Sequence, residues 1–502
     1  MNTPALANND LVTRTDLYLK PDPRRVITKL FVPGDDAPPY GSRAASVVDR
    51  VMAMDESAVD RALAATTERF ARRHPRLAET FAEHYASISH RLEPGARPSP
   101  ARRQLIGAYF THEYAIEGAA LCNPSLVPHP DQSGLQAGQL RFVMSVRAIG
   151  EGHVSSIGFR TGLIEPDGRI SLDEPGLAPV TGRHHRVLCD RSLFSGKLAE
   201  AGHDDELAAF LQRNLGPRFT GEELERALSE LHPQLHTRPS AHITVERIHE
   251  IAANNYEVVF PDESTLGERV LWPVGPSESH GMEDARFVRF TTPDGEQVYY
   301  ATYTAYDGQS IAPQLLETTD FRTFRASQLT GAAAANKGMA LFPRLVAGRF
   351  TALTRHDRET NAICSSDDLH TWAEPHHLQG PGQPWELVQL GNCGSPIETE
   401  AGWLVLTHGV GPMRAYAIGA MLLDLDNPRR VLASLREPLL APQTDESDGY
   451  VPNVVYSCGA LLHQDSLILP YGICDSAIRI ARINLPRLLK LLLADGTAAV
   501  GE

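Results

Sequence analysis

The sequence predicts an all-β core of the propeller kind with an N-terminal helical extension and a helical insertion, and three observations carry that expectation. Short strand-like runs separated by turn residues fill most of the chain beyond residue 107. Helical periodicity is confined to about 43–93, about 191–233 and the last segment. A turn pattern also recurs: TDFRTF (319–324) and DDLHTW (367–372) share Asp, an apolar residue, any residue, Thr and an aromatic. The two copies lie about 48 residues apart, a period that suits a four-stranded blade. A pair of packed sheets in a sandwich is the alternative architecture.

The elements follow in chain order. Residues 1–100 read as a mostly helical extension, because DRVMAMDESAVDRALAATTERFARRH (49–74) places apolar residues at helical spacing. Asp55 or Ser57 serves as N-cap, and Pro75 opens the next helix. A Pro/Gly-rich break, EPGARPSPARR (93–103), precedes the main domain, read as 107–490. Its strands include LRFVMSVRAI (140–149) and HVSSIGFRTGLI (153–164), with a turn at EPDG (165–168). Helices return at about 191–233, where Thr220 and Glu223 have the spacing of a capping box. From 240 to about 480 strands are expected again, among them VYYATYTAYD (298–307), RFTALTRHD (349–357) and GWLVLTHGV (402–410). A helix and tail close the chain over 483–502.

At 502 residues, 42% of them hydrophobic, the chain can bury a large core. Lys and Arg number 47 against 62 Asp and Glu, for a net charge of −15. That balance argues against a general nucleic-acid or anionic-membrane binder, so an anion site must be a local basic cluster. The start lacks a secretory signature and no run is long and apolar enough to span a bilayer, so a cytoplasmic protein is expected. The six cysteines are scattered without CxxC or metal-ligand spacing and read as reduced packing residues. His112, His153 and the pair His184–His185 lack the spacing of a metal site, and no metal or cofactor is expected. Phosphate-loop, dinucleotide and serine-hydrolase motifs are absent.

One stretch concentrates chemistry. SESHGMEDARFVRF (277–290) holds His280, Glu283, Asp284 and Arg286 at the start of a strand. In an extended segment Glu283 and Asp284 point to opposite faces, one to a cavity and one to the scaffold. A carboxylate in a partly closed site is the usual source of general acid or base catalysis. The plain alternative is an exposed acidic turn paired with Arg286. Lys337, Arg355 and His408 then sit in or beside three separate apolar strand segments. Three such groups brought to one axis describe an anion pocket, with phosphate as its guest. Asn123, Arg147 and Asp475 are candidate sugar-hydroxyl ligands, and Tyr303, Trp385 and Tyr416 are either sugar platforms or core residues.

Together, GMEDAR (281–286), KGMALFPRLVAGRFTALTRHD (337–357), GNCGSPIETEAGWLVLTHGV (391–410) and YGICDS (471–476) resemble, in that order, the motifs of glycoside hydrolase family 130 over roughly 107–490. The resemblance implies a five-bladed β-propeller whose axial cavity takes β-mannosides, most simply an inverting phosphorylase acting on β-1,2-linked manno-oligosaccharides to give α-mannose 1-phosphate. An inverting β-mannosidase and a non-catalytic glycan- or protein-binding propeller are the alternatives. Asp284 matches the general acid, and Lys337, Arg355 and His408 match the phosphate ligands. Asn123, Arg147, Glu283, Arg286, Tyr416 and Asp475 fall among the substrate contacts, as does Gln389, which stands where many members carry a lysine. Inorganic phosphate would be the co-substrate and a β-mannoside the other partner. Neither nucleic acid nor membrane is expected, and the chain would act alone or as a homo-oligomer.

Overall fold

The computed structural model describes residues 11–34, 42–203, 205–231 and 241–495. The chain divides into two compact units, one of residues 22–118 with 176–180 and one of the remainder. The larger unit is mostly β, and its strands pair into five antiparallel groups. The first comprises Ala120–Pro128, Leu140–Ile149, Ser155–Ile164 and Ile170–Leu172. The second comprises Gly281–Thr291, Gln297–Tyr306, Ile311–Thr318 and Thr323–Gln328. Ala340–Leu341, Phe350–Thr354, Asn361–Ser366 and His376–Gln379 make the third. Gln389–Asn392, Gly402–Val410, Tyr416–Leu423 and Val431–Ser434 make the fourth. The fifth joins Val455–Tyr456, Ser466–Ile473 and Ala477–Asn484 to Val12–Leu19, which arrives from the other end of the chain.

Hydrogen bonds link each group to the next. Phe287 N donates to Ser125 Oγ (3.1 Å), Thr302 Oγ1 to Met339 O (2.5 Å) and Asn392 Nδ2 to Gly338 O (2.6 Å). Tyr416 N donates to Asn453 O (2.9 Å), and Cys458 N to Pro124 O (2.8 Å), which returns the series to the first group. Apolar side chains fill the spaces between groups. Phe159 meets Phe287, Phe321 and Phe324 between the first and second. Trp372 lies buried between the second and third, and Trp403 packs with Phe342 between the third and fourth. Middle strands such as Leu140–Ile149 are covered on both faces, which is why they read as apolar runs and not as strict alternation.

The repeated turns occupy equivalent places, after the third strand of the second and third groups. Asp320 Oδ1 accepts from Arg322 N and Thr323 N, and Asp368 Oδ1 accepts from His370 N and Thr371 N. Phe321 and Leu369 both take left-handed backbone, at φ 55° and 69°. A third copy was not legible as such: Asp424, after the third strand of the fourth group, accepts from Asp426 N and Asn427 N.

Four expectations are corrected by the elements themselves. The segment 1–100 is not helical throughout, since Val12–Leu19 pairs with Ala477–Asn484 and Val26–Leu30 pairs with Thr111–Ala115. The 93–103 break runs straight into a helix, Pro100–Tyr109, because Ser99 caps it and Pro100 fits its first turn, so the strands after the break start at Thr111 and not at 107. Helix Ala241–Ala253 stands where strands were expected. Its β-branched composition reads as strand, yet its buried Thr244, Ile248 and Ile251 recur at helical spacing. Asp55 caps Glu56–Phe70, whereas Leu77–Ile88 starts after Arg76 and not at Pro75.

The smaller unit packs helices Arg43–Met52, Glu56–Phe70, Leu77–Ile88 and Pro100–Tyr109 around Val48, Val59, Leu105 and Phe110. Arg25 and Glu117 form an ion pair within it at 2.9 Å, fully buried. In the larger unit, helices Arg191–Glu200, Glu206–Asn214, Gly221–Ser229 and Ala241–Ala253 share a separate core, and Thr220 with Glu223 forms the expected capping box. Helix Leu485–Asp495 closes the described chain, while the tail 496–502 and the insertion's end at 232–233 lie outside the described residues. All six cysteines are buried and unpaired with one another. No helix among the described residues is long and apolar enough to cross a membrane.

Candidate functional site

The first two strands of the groups, with the turns beside them, bring most of the expected residues together. Asn123 lies in the first group's opening strand and Asp284 in the second's; the Asn123 amide donates to Asp284 Oδ1. Both strands are bulged there, with pairing slipping between Cys122 and Ser125 and between Glu283 and Arg286. Asn123, Asp284 and Asp475 all have left-handed backbone, at φ 46°, 55° and 48°. Such conformations cost on the order of 1–3 kcal/mol in a non-glycine residue and concentrate at functional sites.

The bulge corrects the expectation that Glu283 and Asp284 face apart. Extended backbone would separate them, but the left-handed turn at Asp284 aims both carboxylates at one guanidinium. Arg147 Nη2 donates to Glu283 Oε1 at 2.6 Å and Nη1 to Asp284 Oδ1 at 3.4 Å. Lys337 Nζ donates to Glu283 Oε2 at 2.6 Å. Ser155 Oγ holds Arg147 Nε at 2.9 Å. Gly281 permits this approach, since a Cβ there would stand 2.6 Å from Ser155 N.

Arg286 is almost completely buried beneath the carboxylates and not beside them. Its Nη1 donates to the Asp284 main-chain oxygen (3.1 Å) and its Nη2 to Tyr456 OH (2.7 Å). It therefore supports the bulge that aims Asp284. Burial raises the Asp284 carboxyl, but Arg147, Lys337 and Arg286, with the Asn123 bond, outweigh that and hold it at about 2. Asp475, within electrostatic reach of Arg147 and Asp284, is pushed up by burial.

Arg355 and His408 form the other side. Arg355 Nη1 and Gln389 Nε2 each lie 3.2 Å from His408 Nε2, while His408 Nδ1 lies 3.1 Å from Asn392 O. A carbonyl only accepts, so Nδ1 carries the hydrogen and Nε2 is the acceptor. His408 was expected as a further donor to an anion; the arrangement makes it a neutral acceptor. Burial, then Arg355 and Arg286, hold its pKa well below the usual range. Tyr416 stacks on its ring at 6.1 Å, and Tyr456 meets it edge-on at 4.8 Å. Arg355 Nε is buried without a hydrogen-bond partner in the structure. Tyr303 is a core residue bonded to Glu278, and Trp385 donates to Arg436 O; neither joins the cluster.

Sequence reading missed Ser155, Tyr456 and Asn392, each of which orients a charged or titratable group. Their signals were weak, a serine, a tyrosine and an asparagine in otherwise ordinary strand runs. The assembled site sets Arg147 and Lys337 against the carboxylates of Glu283 and Asp284, with Arg286 beneath them and Arg355 at His408. It can hold an anion next to a carboxylate.

Residues 252–494 match the glycoside hydrolase 130 family, described as beta-1,4-mannooligosaccharide phosphorylase. A beta-1,2-mannobiose phosphorylase of Listeria innocua is 33% identical over 237 residues, covering 45% of this chain and 65% of that protein. A 1,2-beta-oligomannan phosphorylase of Thermoanaerobacter sp. is 32% identical over 212 residues, covering 41% of this chain and 70% of that protein. Among solved structures, the Listeria innocua beta-1,2-mannobiose phosphorylase in complex with beta-1,2-mannobiose aligns with a TM-score of 0.47 and 18% identity, over 81% of this chain and 96% of that one.

Proposed function

We propose that this chain, which belongs to glycoside hydrolase family 130, is an inverting β-mannoside phosphorylase that uses inorganic phosphate to give α-mannose 1-phosphate. The observation that carries the reading is the cation cluster around an ionised Asp284, with Arg355 Nε buried and unpartnered. Unpaired buried donors are costly, and a phosphate oxygen would satisfy this one. Lys337 and Arg355 bind the dianion and His408 flanks it.

A phosphate oxygen attacks the anomeric carbon as the glycosidic bond on the opposite face breaks. Asp284 delivers the proton to the departing oxygen, relayed through a hydroxyl of the bound sugar. An acid held at about 2 gives up its proton at neutral pH, so it must be adjusted when substrates arrive. The phosphate's negative charge does this: it offsets Lys337 and Arg147 and raises the carboxyl toward a proton-bearing state. Phosphate is itself an adequate nucleophile, so the protein supplies position and charge compensation.

Two of the similar proteins act on β-1,2 linkages, which supports a β-1,2-linked manno-oligosaccharide as the donor. The five antiparallel groups, linked in a cycle and each opening toward the site, support a five-bladed propeller with the site on its axis. Asn123, Arg147, Glu283 and Asp475 line the sugar side, Gln389 and Tyr416 adjoin the anion side, and the 43–109 helices are an addition to the catalytic core. We read the enzyme as cytoplasmic and independent of metals or organic cofactors. The test is incubation with β-1,2- and β-1,4-mannobiose with and without phosphate. Phosphate-dependent mannose 1-phosphate from the β-1,2 substrate is expected, and phosphate-independent release of free mannose would refute the phosphorylase.

A further inference from the structure

The His408 ring is fixed on every side. Its Nδ1 hydrogen is committed to Asn392 O at 3.1 Å, and that residue is itself held through Asn392 Nδ2 to Gly338 O (2.6 Å) and Gly394 N to Asn392 Oδ1 (3.2 Å). Tyr416 covers one face and Tyr456 abuts the ring. Gly391 leaves the room it occupies, since a Cβ there would stand 2.4 Å from His408 Cε1. Only 2% of the residue is exposed, so the ring has no space to turn over and exchange its nitrogens.

Nε2 therefore presents one lone pair, and two donors share it, Arg355 Nη1 and Gln389 Nε2, both at 3.2 Å. A single lone pair shared by two long contacts releases either donor easily. The charged groups acting on the ring are Arg355 and Arg286, which oppose a second proton, and Asp284, which favours one. Burial acts with the arginines, and the ring stays neutral. A neutral residue at 389 adds no cation of its own beside Nε2.

We infer that the Arg355–His408–Gln389 cluster selects an anion that carries its own hydrogen. Arg355 and Gln389 both turn to the unprotonated oxygens of the bound anion, and the freed His408 Nε2 lone pair accepts the P–OH hydrogen of monohydrogen phosphate. Sulfate has the same shape and charge but no hydrogen at neutral pH. Its oxygen lone pair would face the nitrogen lone pair, with neither group able to donate. Buried sites built to accept a hydrogen bond reject analogues lacking the donor far more strongly than shape alone can. This inference rests on the phosphorylase reading and adds to it a filter on the co-substrate.

The experiment is calorimetric titration of the full chain at neutral pH with phosphate, arsenate and sulfate, in the presence of mannose, the sugar released from mannobiose. Phosphate and arsenate should bind within about tenfold of each other, and sulfate at least about 100-fold more weakly. His408→Gln, whose amide can turn its NH2 toward the anion, should narrow the phosphate-to-sulfate ratio to about tenfold or less. Nitrogen NMR of labelled histidine should show His408 Nε2 without a hydrogen before and after phosphate binds. Equal binding of phosphate and sulfate to the unmodified protein would overturn the filter and leave the phosphorylase reading intact. No binding of phosphate would remove both.

Discussion

Two buried carboxylates six positions apart in the sequence, Glu278 and Asp284, are treated oppositely by the fold. Glu278 is completely buried and held by neutral donors: Tyr256 OH at 2.9 Å, Tyr303 OH, and the main-chain N–H groups of Val274 and Gly275, both at 3.0 Å. Burial dominates there and its pKa is raised despite those bonds. Asp284 is buried nearly as well, yet three cations reverse the effect of burial. Burial alone thus does not decide how a carboxylate titrates; the charge of its partners does. Glu278 ties the turn before Gly281 to the sheet, while Asp284 lies in left-handed backbone among cations and a single amide. The first arrangement stabilises, and the second holds strain and charge that a substrate can use.

The sharpest way to break the comparison is to neutralise Asp284, the proposed acid. Asp284→Asn should lower phosphorolysis by roughly 10²–10⁴-fold, as expected for a lost general acid, with the fold retained by circular dichroism. Activity near that of the unmodified enzyme would remove Asp284 from the reaction and turn attention to Glu283. Next in size, Arg355→Ala should raise the phosphate KM by roughly one to two orders of magnitude, since a charged hydrogen bond is worth on the order of 1.5–3 kcal/mol. The mannoside KM should change much less if the guanidinium faces the anion as proposed. Equal effects on both constants would mean that Arg355 organises the whole site.

The sequence pattern made much of this site readable because its chemistry sits in short runs of unusual residues. Asp284, Lys337, Arg355 and His408 stood out as polar groups in apolar strands, and the Asp320 and Asp368 turns gave the period. What it hid was geometry. A bulge is invisible in a run such as GMEDARF, so the alternation rule separated Glu283 from Asp284 although both meet Arg147. The tautomer of His408 depends on Asn392 O, sixteen positions away in sequence. Glu278 was not singled out in the sequence, because the tyrosines that hold it, Tyr256 and Tyr303, lie more than twenty positions away on either side. Strand Val12–Leu19 was missed because its partner lies at the far end of the chain.

The smaller effects fall on stability, and their signs separate the two carboxylates. Glu278→Gln places an amide NH2 among groups that donate to the carboxylate, and should cost about 1–3 kcal/mol of stability. Activity per folded molecule should stay close to that of the unmodified enzyme. The finest distinction is the pH dependence of unfolding. Asp284 has a lowered folded pKa, so its contribution is present above 3.8 and is lost as pH falls toward about 2. Glu278 has a raised folded pKa, so the folded state binds its proton more readily, and its contribution falls as pH rises from 4.5 through the folded value. Denaturant midpoints measured between pH 2 and 7 should therefore show Asp284→Asn with a shallower acid decline. Glu278→Gln should show a steeper decline on acidification than the unmodified chain, because the proton uptake that favours its folded state is gone. Slopes that change in the same direction would mean that the cations around Asp284 do not outweigh its burial.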